Sequence, residues 1–414
     1  MGSRKTGEHA PSLPRTLLIG VTLLIGLSAC SAEAESNDSR GGGSHKGDVT
    51  APRIVVDPPD NDQGVRLDRT ISVKAVDGSL QSVVVHPAGS TDVVQGHLDS
   101  SHQSWSSSES LDNDTRYLVE ARAAAPSGAA SASVTSFTTM LARELATQWS
   151  PDGGETVGIG MPITLRFNTD IPRSSQSDFL KHIKVTTTPS VLGDWHWFTA
   201  REVHWRPVAF WPSGTKVSVD GKLRGVDAGS GVWGLDDWNF SFTIGEKHVS
   251  VVDVATHQMQ VFANDQLIAQ WPISAGRPSL PTLGGTLYVR YKSQDVLMDS
   301  LTLGIPRNSP DGYYDHVFWN VAISVDGFYI HAAPWSESQQ GTDNVSHGCV
   351  NLSTDRAQTY FHFSNIGDVV AVKNTPRLAD WGDGEGDWQI PWPQWANSGG
   401  ELKAPGASNR PGGI

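Results

Sequence analysis

Within the segment Asn344-Val345-Ser346-His347-Gly348-Cys349-Val350-Asn351, a hydroxyl, an imidazole, a glycine and a thiol follow one another directly. A second imidazole, His331, lies a short way upstream in Gly327-Phe328-Tyr329-Ile330-His331-Ala332-Ala333-Pro334-Trp335. A thiol attacks carbonyl carbon as its thiolate, and imidazole is the side chain suited to take its proton near neutral pH. Acyl transfer also needs hydrogen-bond donors where the oxyanion develops. Gly348 permits close backbone approach, so the N–H groups of Gly348 and Cys349 are candidate donors. Both imidazoles are candidate bases. In an extended segment His347 and Cys349 share a face, because residues i and i+2 do. His331 ends a strand-like apolar run, where a side chain is rigidly aimed. Spacing alone does not choose between them.

Two other chemistries compete with a nucleophilic Cys349. Most free cysteines are small buried hydrophobes, but Ser346, His347, Gly348 and Asn351 make the surroundings polar. His316, His331, His347 and Cys349 are zinc-ligand types, but neither Cys-x-x-Cys nor His-Glu-x-x-His spacing is present. The order is nucleophile, then metal, then core thiol, with no metal or cofactor expected. The chain has only two cysteines. The other, Cys30, closes Leu27-Ser28-Ala29-Cys30 after Arg4, Lys5, Arg15 and the apolar run Leu17–Leu27. A basic start, a short apolar core and small residues form an export signal, too short to span a bilayer as a helix. Its end resembles a bacterial lipobox, which implies a lipid-bearing Cys30 as mature N-terminus. Two or more acyl chains hold a protein at a membrane far more firmly than one. The expectation is an exported, palmitate-bearing lipoprotein on the outer face of the bacterial membrane. In an oxidising compartment, Cys349 then has no disulfide partner and needs a task.

The elements that must position this chemistry read mainly as β structure. At 414 residues there is room for two to four domains, and 42 Gly with 24 Pro favour turns over long helices. The net charge of −13 comes without a basic run to track phosphates, so nucleic acid is not an expected partner. After the signal, 1–29, residues 30–50 are polar and Gly-rich and read as a tether. Period-two runs between turn signals suggest two tandem immunoglobulin-like sandwiches, 51–140 and 141–246. In the first, Tyr117, Val119 and Ala121 fall on one strand face. Denser strands over 247–375 carry the site, with a hairpin turning at Asn264-Asp265 and one helix from Ser353 to Phe363. A Trp-rich extension, 376–397, contains Trp381, Trp388, Trp392 and Trp395, expected to pack against the catalytic body. A tail, 398–414, completes the chain.

The pattern His331, then Ser346-His347-Gly348-Cys349-Val350-Asn351, resembles the active-site signature of the L,D-transpeptidases of peptidoglycan synthesis, whose catalytic fold is called YkuD-like. The resemblance runs from about Lys247 to Thr375 and includes Pro272–Gly276 and Met298-Asp299-Ser300. With the lipobox, the sandwiches and the Trp-rich extension, it is similar to the mycobacterial lipoprotein members. The resemblance implies a thioester on Cys349, formed with loss of D-alanine and captured by a diaminopimelate amine to give a 3→3 cross-link. It implies His331 as base and acid, with Gly348 and Tyr313 serving the oxyanion. Met298, Trp335, Ser346, His347 and Asn351 would shape the substrate pocket, beneath a lid from Leu303 to Trp319. Stem peptides are the implied partners, and carbapenems the implied covalent inhibitors. Ala332 stands where relatives often carry Ser, which matters if a hydroxyl rather than a carbonyl holds His331. Leu303 stands where some relatives have a lid Tyr. The rival readings are an L,D-carboxypeptidase, in which water replaces the amine, and a non-catalytic, lipid-tethered wall-binding scaffold.

Overall fold

The computed structural model describes residues 50–379 and 386–396. Cys30, the export signal, nearly all of the tether, Trp381 and the tail lie outside the described residues.

The first sandwich packs a sheet containing Arg53–Asp57, Ser72–Val76, Ser104–Ser107 and Gly96–Leu98 against one containing Asp62–Val65, Ala130–Thr139, Arg116–Ala124 and Ser79–Pro87. Alternation puts Tyr117, Val119 and Ala121 inward, where they meet Ile71, Val73, Val85 and Phe137 in the core. The Tyr117 hydroxyl accepts a hydrogen bond from the Asp112 N–H at 2.8 Å. Such a tyrosine corner, closing back on the chain just upstream, is a hallmark of immunoglobulin-like sandwiches.

The second sandwich has two four-stranded sheets, with Ile163–Phe167 and Glu202–Pro207 central in one, and Lys216–Gly221 and Trp238–Ile244 central in the other. It also holds a helix, Arg173–Leu180, that the sequence reading missed. Only Phe179 of that helix is buried, so its apolar pattern is too thin to read.

The catalytic body has a six-stranded sheet, ordered Gln266–Pro272, Gln258–Ala263, His248–Asp253, Val369–Lys373, Leu283–Tyr288 and Arg377–Leu378. The last strand lies beyond the expected boundary at residue 375, because Leu283 and Gly284 pair with Arg377 and Leu378. The hairpin turn lies where expected, with Asn264 and Asp265 both at positive φ. A four-stranded sheet, Tyr291–Asp299, Tyr314–Ala322, Tyr329–Ala332 and Val350–Leu352, carries the chemistry. The helix Thr354–Phe363 follows, burying Ala357 and Tyr360.

No linker separates the second sandwich from the catalytic body. Tyr288 and Val369 of the catalytic body belong to the sandwich's apolar core. The Gly158 and Gly160 amides donate to the carbonyls of Ile366 and Gly367 at 2.7 and 2.8 Å. A Cβ on Gly158 would lie 2.2 Å from the Asp368 nitrogen, so glycine is what permits this approach.

The extension departs from expectation among the described residues: Trp388, Trp392 and Trp395 pack chiefly on the second sandwich rather than on the catalytic body. Arg206 presents its guanidinium to Trp388, Trp392 and Trp395, with centroids 4.8, 5.5 and 4.4 Å away. It also donates to the Ile390 carbonyl at 2.7 Å. The Trp395 indole is fully buried and donates to the Asp194 carbonyl. His204 lies between Asp387 and Glu202, at 2.8 and 3.0 Å. Gln389 reaches the catalytic sheet, donating to the Thr286 carbonyl at 2.6 Å. Arg206 and His204 supply buried polar surface that the indole faces and Asp387 match, and this outcompetes the catalytic body.

Candidate active site

Cys349 immediately precedes the strand Val350–Leu352, which runs parallel to Tyr329–Ala332 with Ile330 opposite Val350 and His331 opposite Asn351. Cys349 therefore sits beside Tyr329, two register positions from His331 and on the same sheet face. The intervening strand places three residues, about 10 Å of chain, between Cys349 and the helix that follows. The helix N-terminus is thus no close neighbour of the sulfur.

His331 is buried, and its Nδ1–H donates to the Ala332 carbonyl at 2.8 Å. A carbonyl, not a hydroxyl, holds this imidazole, so alanine suffices at residue 332. The bond fixes the tautomer and leaves Nε2 as the basic nitrogen. Burial lowers His331 to about 4, against a smaller upward pull from the carbonyl.

His347 is differently engaged. Arg277 donates to its Nε2 at 3.2 Å, and Asp311 lies close enough to oppose part of the resulting shift. Burial and the Arg277 charge hold it below its ordinary value. Arg277 in turn pairs with Asp311 at 3.1 Å.

Ser346 binds the nucleophile loop to itself. Its Oγ–H donates to the Cys349 carbonyl at 2.6 Å, while the Gly348 N–H donates to its Oγ at 3.0 Å. Gly348 was expected to aim its amide at an oxyanion. In the structure that amide donates to Ser346 Oγ, and Gly348 has φ of +129°. The Cys349 N–H and the Tyr313 hydroxyl are the other candidate donors. The Tyr313 ring packs edge-on against His347 at 5.0 Å. Burial raises its hydroxyl to about 12, and the nearby Cys349 charge adds to this. It therefore remains a donor at neutral pH.

Cys349 is half-buried. Burial pushes its thiol up to about 11, opposed by the Tyr329 N–H that donates to it. A buried His331 near 4 and a thiol near 11 rest as a neutral pair, not as a thiolate–imidazolium pair.

Asn351 is buried opposite His331, donating from Nδ2 to Ser336 Oγ at 3.0 Å. Trp335 is 62% exposed, its ring 6.1 Å from that of His331. Met298 is half-buried on Tyr291–Asp299, opposite Asp315. The next residues reach the site indirectly, since Ser300 exchanges backbone and hydroxyl hydrogen bonds with Tyr313. Leu303, at the start of the expected lid, is exposed and ends a short 3-10 turn, Ser300–Leu303. His316 is exposed and bonded to Asp295 at 2.8 Å, which separates it from the other candidate metal ligands. Among the described residues no cluster of His, Cys, Asp and Glu could hold a metal ion.

Sequence reasoning missed Arg277, Asp311 and the turn preceding Tyr329. Arg277 and Asp311 are remote in sequence from His347 and belong to no pattern that spacing reveals. A cavity of about 650 Å³ is lined by Gly276, Asn344 and Val345, the immediate neighbours of Arg277 and Ser346, but not by Cys349 or His331.

A β scaffold that aims one buried imidazole and one thiol from adjoining parallel strands defines a cysteine acyltransferase. Residues 247–372 match the family described as L,D-transpeptidase catalytic domain, and residues 62–227 match bacterial Ig domain. L,D-transpeptidase 2 of Mycobacterium tuberculosis is 37% identical over 92% of this chain and 93% of its own length. L,D-transpeptidase 5 of the same species is 33% identical over 84% of this chain and 77% of its own. A crystal structure of L,D-transpeptidase 3 of that species, with a faropenem-derived adduct, is 30% identical. It covers 56% of this chain and 98% of its own, with a TM-score of 0.47. The chain belongs to the peptidoglycan L,D-transpeptidases.

Proposed function

We propose that Cys349 is the nucleophile and His331 the base of a reaction that makes 3→3 cross-links. The observation that carries the assignment is the contrast between the two imidazoles. His331 has Nδ1 tied to the Ala332 carbonyl, which leaves Nε2 for the thiol proton, whereas Arg277 donates to Nε2 of His347. As Sγ bonds to the carbonyl carbon between the third stem residue and D-alanine, His331 Nε2 takes the thiol proton. The carbonyl π electrons move onto oxygen, which the Cys349 N–H and Tyr313 hydroxyl stabilise. Collapse breaks the C–N bond, and His331 returns the proton to the departing D-alanine amine. The side-chain amine of a second stem's diaminopimelate then attacks the thioester, passing its proton through His331, and the thiol is regenerated. No step requires a cofactor. Met298, Trp335 and Asn351 would contact the donor stem, with Ser346 and His347 holding the loop.

Incubation with a tetrapeptide-stem muropeptide should release D-alanine and yield dimers, seen by mass analysis. Tripeptide stems without dimers would make the protein a carboxypeptidase. Neither product, with Cys349 intact, would sink the enzyme reading. The same thiol should open carbapenems, leaving a mass adduct that Cys349→Ser lacks. The export signal and lipobox support a further reading, with acylated Cys30 tethering the protein to the outer face of the membrane. Undiminished palmitate labelling of Cys30→Ala would end it.

A further inference from the structure

The turn that joins Tyr314–Ala322 to Tyr329–Ala332 reaches the nucleophile through Gly327, whose carbonyl is 3.8 Å from the sulfur. Buried Ser324 organises the turn, its Oγ accepting from the N–H groups of Asp326 and Phe328 at 3.1 and 3.2 Å. The Ile323 N–H closes the turn on the Phe328 carbonyl at 2.9 Å. Two groups from this segment address the sulfur. The Tyr329 N–H donates to it, and the Gly327 carbonyl lies 3.8 Å from it, in reach of the S–H. Gly327 has φ of +86°, a conformation that side chains other than those of Asn, Asp and Gly rarely adopt. A Cβ there would meet nothing nearer than a Tyr329 ring carbon at 3.9 Å. Space does not demand a glycine; the direction of its carbonyl does.

We propose that Gly327 is a positioning residue whose carbonyl holds the resting Cys349 proton and so sets the rotamer of the thiol. When the acyl donor is seated, the S–H leaves the Gly327 oxygen and delivers its proton to His331 Nε2 as the S–C bond forms. The reading rests on Cys349 as nucleophile. It adds that the resting proton points to the backbone, which keeps the thiol neutral and its sulfur in one orientation between turnovers.

Infrared difference spectra of the full chain against Cys349→Ser isolate the S–H stretching band of this residue. A hydrogen-bonded S–H should absorb at lower frequency than the same thiol in Gly327→Ala, where an unfavourable φ rotates the carbonyl away. Gly327→Asn, which tolerates positive φ, should restore the band. Turnover should follow the band. We expect kcat to fall on the order of tenfold in Gly327→Ala with KM little changed, and to recover in Gly327→Asn. Ser324→Ala, which leaves the glycine in place but releases the turn, should shift the band in the same direction as Gly327→Ala and serves if that variant does not fold. One band position in all variants would overturn the proposal, as would equal losses of kcat in the Ala and Asn variants. Turnover that persists in Cys349→Ser would instead overturn the nucleophile assignment, with the band results unaffected.

Discussion

At the scale of the residue, the neutral resting pair decides how the site should respond to pH. With burial holding His331 at about 4 and the thiol at about 11, the thiol–imidazole state able to react is populated across neutral pH. Acylation by a carbapenem should be flat around neutrality and fall about tenfold per pH unit below about 4, once His331 is protonated. Alkylation by iodoacetamide, which needs thiolate and no seated donor, should be slow at neutral pH and rise towards about 11. A plateau in alkylation near pH 7 would contradict the neutral pair. His331→Gln should lower acylation by roughly 10²–10⁴-fold. His347→Gln should cost much less, because that ring only braces Arg277 and Tyr313. Equal losses would refute the choice of base.

At the scale of the element, the loop Ser346–Cys349 keeps its shape by hydrogen bonding to itself. Ser346→Ala removes one acceptor and one donor without changing volume much, leaving the Gly348 N–H and Cys349 carbonyl unmatched. That should cost about 1–3 kcal/mol and lower kcat more than it raises KM, as steady-state kinetics and thermal melts would show. Gly348→Ala should be worse. Its Cβ would lie 2.7 Å from Phe328 Cε1, at a φ of +129° that alanine rarely adopts. This scale also shows what was legible in the chain. Alternation revealed most strands because each buries one face, as Tyr117, Val119 and Ala121 do. The Ser346–Cys349 loop and both imidazoles were legible as candidate groups from residue type and spacing, while the choice of His331 over His347 came only from the family resemblance. The Arg277–Asp311 brace and the Gly327 carbonyl were not legible, because tertiary closure alone brings them to the site. The hydrogen bond from the Gly348 amide to Ser346 was not legible either, because residue type does not reveal peptide orientation.

At the scale of the whole molecule, the Trp-rich strap carries much of the stability of the second sandwich. Trp395→Ala should cost on the order of 3–5 kcal/mol, because the indole is wholly buried and its N–H is matched. The strap's ion pair has a definite pH signature. Asp387 and Glu202 outweigh the cost of burial and lift His204 from its ordinary 6.5 to about 9. A raised value means that the folded state binds the proton more tightly than the unfolded chain does. The stabilisation is therefore complete below about 6.5 and lost as pH rises through about 9. In thermal melts, Asp387→Asn should fall furthest below the wild type in mildly acidic buffer, and the gap should close in alkaline buffer. A constant gap would show that His204 does not carry it.

The glycine seam at Gly158 and Gly160 bears on how this chain can be cut and recombined. A fragment beginning at residue 247 would bare Tyr288 and Val369 to water and strip Trp388 and Trp395 of the wall on which they lie. An excision that keeps the glycine seam intact therefore retains the second sandwich and the strap, and a cut near residue 141 would in turn take Leu67 and Arg66 away from buried Trp233. The first sandwich makes no part of that seam and meets the second elsewhere, through Leu67 and Arg66 on Trp233. The second cannot be removed without breaking the seam, so grafting this catalytic body onto a foreign spacer means grafting its neighbour as well.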